Sequence, residues 1–245
     1  MKKYSFLKNT RKSIVNLHKR ISAFCMAAVM CFVPVGVGMR QDIANVYSHK
    51  ENEDMKIAIT FDDGPHRTKT PEILDILKKY GVTATFFVVG SCVESYPDIV
   101  QRELSEGHEV GNHTFSHISL VGGDMEKMKD EIIKTEEVLF ENVEYRPKLF
   151  RPPEGVCNEG IASVAASLDY SVILWNIDTR DWAHTSKDDI VNMVLRNIES
   201  GDIILFHDAI SGESHTAEAL EIIIPALKEK GYKFVKVSEL IMEQS

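Results

Sequence analysis

The chain has few cysteines, and their scarcity excludes two common ways in which cysteines stabilise a fold. Only four occur among 245 residues, and Cys25 and Cys31 lie in an apolar N-terminal stretch. The remaining two, Cys92 and Cys157, cannot make a disulfide framework or a thiolate zinc site. We therefore expect both to be small buried hydrophobic residues. The sequence also lacks internal repeats and low-complexity tracts, as expected for an ordinary globular protein.

Basic residues are scarce outside the N-terminus. Residues 1–42 contain eight Lys or Arg and one acid, a net charge of +7, whereas residues 43–245 contain 20 basic and 36 acidic residues, a net charge of −16. An acidic body lacks the basic face that neutralises phosphates. The composition therefore argues against a nucleic-acid partner.

The N-terminus, residues 1–39, is predicted to be a signal peptide or a membrane anchor. Basic residues up to Arg20 precede an apolar run from Ile21 to Met39. The run approaches the length that spans a bilayer, but Pro34 interrupts it, and no clean Ala-x-Ala site follows. Cleavage and retention therefore both stay open. Either route predicts an exported protein, extracellular or anchored at a bacterial cell wall, with the membrane as a partner only if the segment is uncleaved.

Strand-like and helix-like segments alternate through the rest of the chain. Ile57–Phe61 and Asp202–Phe206 are typical of buried strands, and Thr70–Tyr80 has apolar residues at helical spacing. Such repetition predicts parallel strands with helices outside. Candidate chemical residues follow five strands, which favours a (β/α) barrel over an open doubly wound sheet with one switch point. Residues 40–54 are polar and are predicted to be a linker before a catalytic domain of residues 55–245.

Two adjacent acids and two histidines predict a hydrolytic metal site. Asp62 and Asp63 follow the first predicted strand, and His113 and His117 come about fifty residues later. Adjacent carboxylates repel each other unless a cation lies between them. One aspartate can bind the cation with the histidines while its neighbour remains free as a base. An Asp-Asp-Gly-Pro turn would account for the acidic pair alone, but it would not account for the histidines.

Five motifs in the chain resemble those of the polysaccharide deacetylases, also called the NodB-homology domain or carbohydrate esterase family 4. The resemblance spans about residues 55–245. It implies an α/β fold, a distorted (β/α)7-type barrel, and removal of acetyl groups from polymers such as peptidoglycan, chitin and xylan. The motifs are Thr60–Pro65, His113–His117, Arg151–Gly155, Asp178–Trp182 and Leu205–Asp208.

The resemblance assigns a metal site and a base. Asp63, His113 and His117 would hold one divalent cation and leave a position open for water. Zinc suits this oxygen and nitrogen set, with cobalt or nickel as alternatives. Asp62 would be the general base, and Arg151 would hold it by an ion pair for which the planar guanidinium suits bidentate geometry.

The resemblance also assigns an acid and a substrate wall. His207 would be the general acid that protonates the departing amine, and Asp181 would orient it. Trp182 would pack against a sugar face, with a core tryptophan as the alternative. Leu205 would line the acetyl pocket, or belong to the core.

One position departs from the family pattern. The residue after Pro153 is commonly aromatic in these deacetylases, and here it is Glu154. The family uses the backbone N–H at this place in the oxyanion hole, and a change of side chain leaves that N–H intact. Pro153 and Glu154 are therefore expected at the substrate site, where Glu154 would contact a polar or amine-bearing sugar or point to water.

The activity expected from these residues is metal-dependent removal of N-acetyl groups from N-acetylglucosamine residues of peptidoglycan or chito-oligosaccharides. The motifs do not separate amide from ester chemistry, so an O-acetyl esterase on a polysaccharide such as xylan is an alternative. A non-catalytic sugar-binding module of the same fold is another, but it predicts loss of the base, the acid or the ligands. The sequence also leaves N-acetylglucosamine and N-acetylmuramic acid open.

Overall fold

The structure is a computed structural model that describes residues 43–242, so the predicted signal peptide or anchor lies outside the described residues. Within that range the strands are β1 Val46–Tyr47, β2 Lys56–Asp62, β3 Thr85–Val88, β4 Glu109–Asn112, β5 Leu149–Phe150, β6 Ser171–Ile173, β7 Ile177–Asp178, β8 Ile203–His207 and β9 Lys233–Phe234. The helices are α1 Lys69–Tyr80, α2 Gly90–Ser95, α3 Pro97–Ser105, α4 Met125–Val143, α5 Glu159–Ser167, α6 Lys187–Asn197, α7 Thr216–Glu229 and α8 Val237–Ile241. None of these helices is long and apolar enough to cross a membrane.

The strands form one curled sheet whose named pairs are all parallel. Their order is β1-β6-β5-β4-β3-β2-β8-β7, and β9 also pairs with β2. Parallel strands need crossovers, and here most crossovers are helices. The result is a half-barrel with helices outside, which confirms the predicted α/β fold and its distorted-barrel character.

Strands β2 and β8 form the centre of the core because both are apolar on both faces. Every residue of β2 after Lys56 is buried, as are the first four residues of β8. Phe61 stacks on Phe86 with ring centroids 4.9 Å apart and lies 5.8 Å from Phe206. Continuous apolar strands of this kind are stable only when covered on both sides. The ends of these two strands are therefore held rigidly.

Helix ends follow local sequence signals. Gly81 caps the C-terminus of helix α1 and adopts the left-handed conformation (φ 60°) that glycine tolerates. Asp124 caps the N-terminus of helix α4, where its carboxylate accepts hydrogen bonds from the N–H groups of Glu126 and Lys127. Pro225 lies inside α7.

The polar segment before residue 55 is more than the predicted linker. From residue 43 it belongs to the same compact unit as the rest of the described residues. Strand β1 pairs with β6, and the His49–Asp202 bridge fastens this segment beside β8. Polarity misled the prediction because two paired residues need no apolar run. The linker expectation is therefore wrong for this part of the segment.

Two smaller expectations also change. Cys92 and Cys157 are free, as expected, but only half-buried. The sequence Ser171–Trp175 also predicts a strand, but in the structure β6 ends at Ile173, since the chain turns there to begin the short strand β7. Two-residue strands and the short helices α2 and α8 carry too little periodicity to be read from sequence.

Candidate active site

The chemically active side chains gather where the parallel strands end. Asp62 is the last residue of β2 and His207 is the last of β8, and the two are register partners. His113 directly follows β4, and Arg151 directly follows β5. The carboxyl ends of parallel strands meet at one edge of a sheet, so residues distant in sequence share one pocket.

Asp63, His113 and His117 form a compact group of potential metal ligands. One ligand atom from each lies within 4.8 Å of the other two. The Nε2 atom of His117 is 3.2 Å from Oδ1 of Asp63, and that of His113 is 3.5 Å from the same oxygen. Burial alone would raise the pKa of Asp63, but His113, His207 and His117 outweigh it and hold that pKa below its ordinary value. Asp63 is therefore kept as an anion.

This donor set fits a divalent cation. Nδ1 of His113 lies 2.7 Å from the carbonyl oxygen of Arg151, which can only accept a hydrogen bond, so Nδ1 carries the proton. Its Nε2 lone pair is then available to a metal. Oδ1 of Asp63 is buried and has no hydrogen-bond partner among the described residues. A buried oxygen without a donor, facing two imidazole nitrogens, is what a cation would satisfy.

Asp62 lies outside this ligand group and is held by Arg151. Asp62 is 3% exposed, and its Oδ1 accepts a 2.7 Å hydrogen bond from Nη1 of Arg151. The same Nη1 donates to Oγ1 of Thr60, while Nε and Nη2 donate to backbone carbonyls of Ile173 and Leu174. Asp62 is thus oriented by one N–H group and not by the expected bidentate pair, because other N–H groups of the guanidinium donate to the Thr60 hydroxyl and to two backbone carbonyls.

The second oxygen of Asp62 remains available. Its Oδ2 lies 3.7 Å from Nε2 of His113, on the side of the metal-ligand group. Arg151 is completely buried, with its guanidinium 4.1 Å from the ring centroid of Phe87. A fixed guanidinium on one oxygen leaves the other oriented to accept a proton.

His207 is oriented by Asp181. Oδ1 of Asp181 accepts from Nδ1 of His207 at 2.8 Å, and its Oδ2 accepts the backbone N–H of His207 at 2.9 Å and the hydroxyl of Thr216 at 2.7 Å. Burial alone would lower the pKa of His207, but Asp181, with the charges of Asp62 and Asp63, raises it to about 9. With Nδ1 bound to Asp181, Nε2 is the atom free to exchange a proton.

The metal-ligand group lines one pocket of about 440 Å³ together with Asp62 and His207. Trp182 is 51% exposed, so it is no core residue, and Leu205 is buried in the pocket wall. Of the other predicted residues, Arg151, Asp181 and Pro153 lie outside the lining; the first two act from behind it. The lining residues are Asp62, Asp63, His113, His117, Glu154, Trp175, Asp178, Trp182, Leu205 and His207.

Glu154 occupies a special backbone position on the pocket rim. It is exposed and has φ 60°, an uncommon conformation for a residue other than glycine. Its N–H makes no hydrogen bond to another residue of the described range. The neighbouring Gly155 is also left-handed, and a Cβ there would meet the Trp175 ring at 2.6 Å. The loop therefore presents a free backbone donor beside a fixed aromatic ring.

Four contributors to the site were not identified from sequence. Trp175 and Asp178 line the pocket, while Thr60 and Thr216 fasten Arg151 and Asp181. Asp178 and Thr60 could have been found, because they begin the fourth and the first motif. The Thr216 hydroxyl has no sequence signal that separates support of a site from ordinary packing.

Fold and site together define a class of protein: a hydrolase with a parallel half-barrel and a candidate metal-ligand triad beside Asp62 and His207. The chain belongs to the polysaccharide deacetylase family, whose family model matches residues 49–173. It is 44% identical to a peptidoglycan-N-acetylglucosamine deacetylase of Bacillus cereus over 192 residues, which are 78% of this chain and 90% of the relative.

Solved structures agree with this assignment. A peptidoglycan N-acetylglucosamine deacetylase in complex with 4-naphthalen-1-yl-N-oxidanyl-benzamide matches with a TM-score of 0.77 and 40% identity, covering 81% of this chain and 92% of that chain. A family 4 acetyl xylan esterase from Clostridium thermocellum, solved with a cobalt ion, matches with a TM-score of 0.70 and 35% identity over 76% of this chain and 90% of that chain. Amide and ester hydrolases thus share this fold.

Proposed function

We propose that this protein hydrolyses the N-acetyl groups of N-acetylglucosamine residues in peptidoglycan, using one divalent cation. The observation that carries the proposal is the single pocket that contains Asp62, Asp63, His113, His117 and His207. The similarity to a peptidoglycan-N-acetylglucosamine deacetylase over 90% of that relative supports the choice of substrate.

Asp63, His113 and His117 would hold the cation, with zinc as the first choice and cobalt or nickel as alternatives. When bound, such a cation would polarise the attacking water and the acetyl carbonyl. Oδ2 of Asp62 takes the proton from that water, because Arg151 holds the other oxygen. The N–H of Glu154, which makes no hydrogen bond to another described residue, would donate to the oxygen on which negative charge develops.

His207 completes the reaction. An amide C–N bond does not break readily unless the departing amine is protonated, and Nε2 of His207 supplies this proton. Asp181 keeps the imidazolium stable through the 2.8 Å bond to Nδ1. Trp182 and Leu205 provide an apolar wall for the sugar and its acetyl group. The products are acetate and a sugar amine, which is cationic at neutral pH.

The proposed location is outside the cytoplasmic membrane, next to the wall. Its support is the basic flank and apolar run of residues 1–39, together with the peptidoglycan substrate named for the relative. The net charge of −16 over residues 43–245 favours a polysaccharide over a nucleic acid as partner.

The test is acetate release by the full-length protein from peptidoglycan, from N-acetylglucosamine oligomers and from acetylated xylan, with mass spectrometry of the muropeptides. We expect loss of acetyl groups from glucosamine, and no loss with the His207→Ala variant. A change confined to muramic acid would move the assignment to that sugar.

A second candidate, an O-acetyl esterase, is supported by the likeness to the acetyl xylan esterase. Acetate release from xylan without any from peptidoglycan would favour it. The non-catalytic module is disfavoured, because the groups that a module would lose are all present. It would be supported only if no acetylated polymer released acetate.

A further inference from the structure

Asp208 is a buried acid that the proposed reaction does not use. It follows His207 directly, is 1% exposed and does not line the pocket. Its backbone N–H donates to the carbonyl oxygen of Asp62 at 3.2 Å. Burying a carboxyl group is unfavourable unless it has a compensating contact, so its surroundings matter.

The carboxylate of Asp208 holds the loop that follows the two adjacent acids. Oδ2 accepts a 2.5 Å hydrogen bond from Oγ1 of Thr70, and that hydroxyl accepts the backbone N–H of His66 at 2.7 Å. The carboxylate also lies directly against Gly64: a Cβ at that position would be 2.2 Å from Oδ2. One side chain therefore fixes both the start and the end of the segment from Gly64 to Thr70.

The residue that this arrangement supports is Asp63. It immediately precedes Gly64 and has φ 76°, in the left-handed region that a residue with a side chain adopts at a cost. Such a conformation persists only where the surrounding structure holds it. In this conformation Oδ1 of Asp63 lies 3.2 Å from Nε2 of His117 and 3.5 Å from that of His113.

We propose that Asp208 is a positioning residue for the metal site. Its side chain packs against Gly64 and binds Thr70, and these two contacts hold the Asp63 backbone in its ligand-presenting conformation. It is not a catalytic residue, since it reaches neither the pocket nor the metal-ligand atoms. The inference takes from the proposed function only that Asp63, His113 and His117 bind a cation.

Shape and hydrogen bonding can be separated from charge at this position. Asn at position 208 keeps the volume and an oxygen that accepts from Thr70, whereas Ala removes both. Positioning predicts that Asp208→Asn binds metal nearly as well as the natural chain and that Asp208→Ala does not. An electrostatic effect of the carboxylate predicts that both variants change alike.

The experiment is a calorimetric titration of the metal-free, full-length protein with Co²⁺. We expect Asp208→Ala to raise the Co²⁺ dissociation constant about 10- to 100-fold, as loss of a residue supporting a metal ligand usually does. Asp208→Asn should stay within about threefold of the natural chain. The control is Asp202→Ala, which removes a buried aspartate just before the other end of β8, where it binds Asn176 and Glu199. It should leave Co²⁺ affinity unchanged.

A second pair of variants covers a failure of Asp208→Ala to fold. Thr70→Val removes the hydroxyl at nearly constant volume and should weaken Co²⁺ binding, whereas Thr70→Ser should restore it. Unchanged affinity in Asp208→Ala, or in Thr70→Val, would overturn the proposal, and so would equal losses in Asp208→Ala and Asp208→Asn. A natural chain that bound Co²⁺ but released no acetate would refute the proposed function and leave this inference standing.

Discussion

Asp62 and His207 are register partners on the adjacent parallel strands β2 and β8. Neighbouring strands lie about 4.8 Å apart, so this pairing fixes the separation of the two backbones. Each side chain then has its own partner, Arg151 for Asp62 and Asp181 for His207. One group can thus accept a proton while the other, across the pocket, gives one up.

The division of work between the two adjacent acids can be tested with two substitutions. Asp62→Asn should lower kcat about 10²- to 10⁴-fold, the usual contribution of a positioned base, and keep the metal. Asp63→Asn should instead lose metal, because it removes a charged ligand. Acetate release and elemental analysis of the same preparations measure both properties. Metal loss in Asp62→Asn with retention in Asp63→Asn would reverse the assignment.

The metal site predicts one divalent cation per chain. His113→Ala and His117→Ala should each lose both the cation and the activity, since two protein ligands hold a cation far less tightly than three. His215→Ala is the matched control, because His215 lies outside the pocket and faces Glu218. Elemental analysis after dialysis provides the measurement. Stoichiometric metal in both pocket variants would rule out these ligands.

The bond between His207 and Asp181 predicts a specific pH dependence. Despite burial, Asp181 raises the pKa of His207 to about 9, so the acid stays protonated through neutral pH. Asp181→Asn should lower this pKa and move the alkaline limb of kcat/KM to lower pH. Asp178→Asn, which removes a pocket charge without touching His207, should move it much less. An alkaline limb unchanged by Asp181→Asn would exclude His207 as the acid.

The same pair affects stability in a defined direction. Because the folded-state pKa of His207 lies above its ordinary value, the charged imidazole stabilises the fold fully below about pH 6.5. This stabilisation is lost as pH rises through about 9. Urea denaturation of the metal-free protein across this range should show the loss, and Asp181→Asn should make the curve flatter.

Burial makes Arg151 important for stability as well as for orientation. Arg151→Ala leaves the buried Asp62 carboxylate without its partner and should cost about 3–5 kcal/mol of unfolding free energy. Arg102→Ala removes ion pairs to Asp75 and Glu106 at the surface and should cost less than about 1 kcal/mol. Urea denaturation compares the two. Adding Asp62→Asn to Arg151→Ala should recover part of the lost unfolding free energy. No recovery would argue against the uncompensated Asp62 charge as the cause of the loss.

The sequence alone predicted the candidate residues of the site and determined most of the fold. The adjacent acids Asp62 and Asp63, combined with the histidine pair His113 and His117, predicted the metal ligands because together they supply the oxygen and nitrogen donors of a cation site. Strand–helix alternation predicted the parallel sheet. Those signals are local, because a strand or a short motif is written in consecutive residues. Strand β1 was missed since its pairing with β6 depends on distant residues that no local pattern contains.

Tertiary structure alone decided which supports hold the reactive groups. That Arg151 uses one N–H for Asp62 and others for the Thr60 hydroxyl and two backbone carbonyls follows from where β5 and β6 end. That Thr70 reaches Asp208 depends on the start of α1 lying against the residue that follows β8. Such contacts depend on distances between elements far apart in the chain. Composition and spacing name the reactive side chains, but only packing sets the geometry that makes them act together.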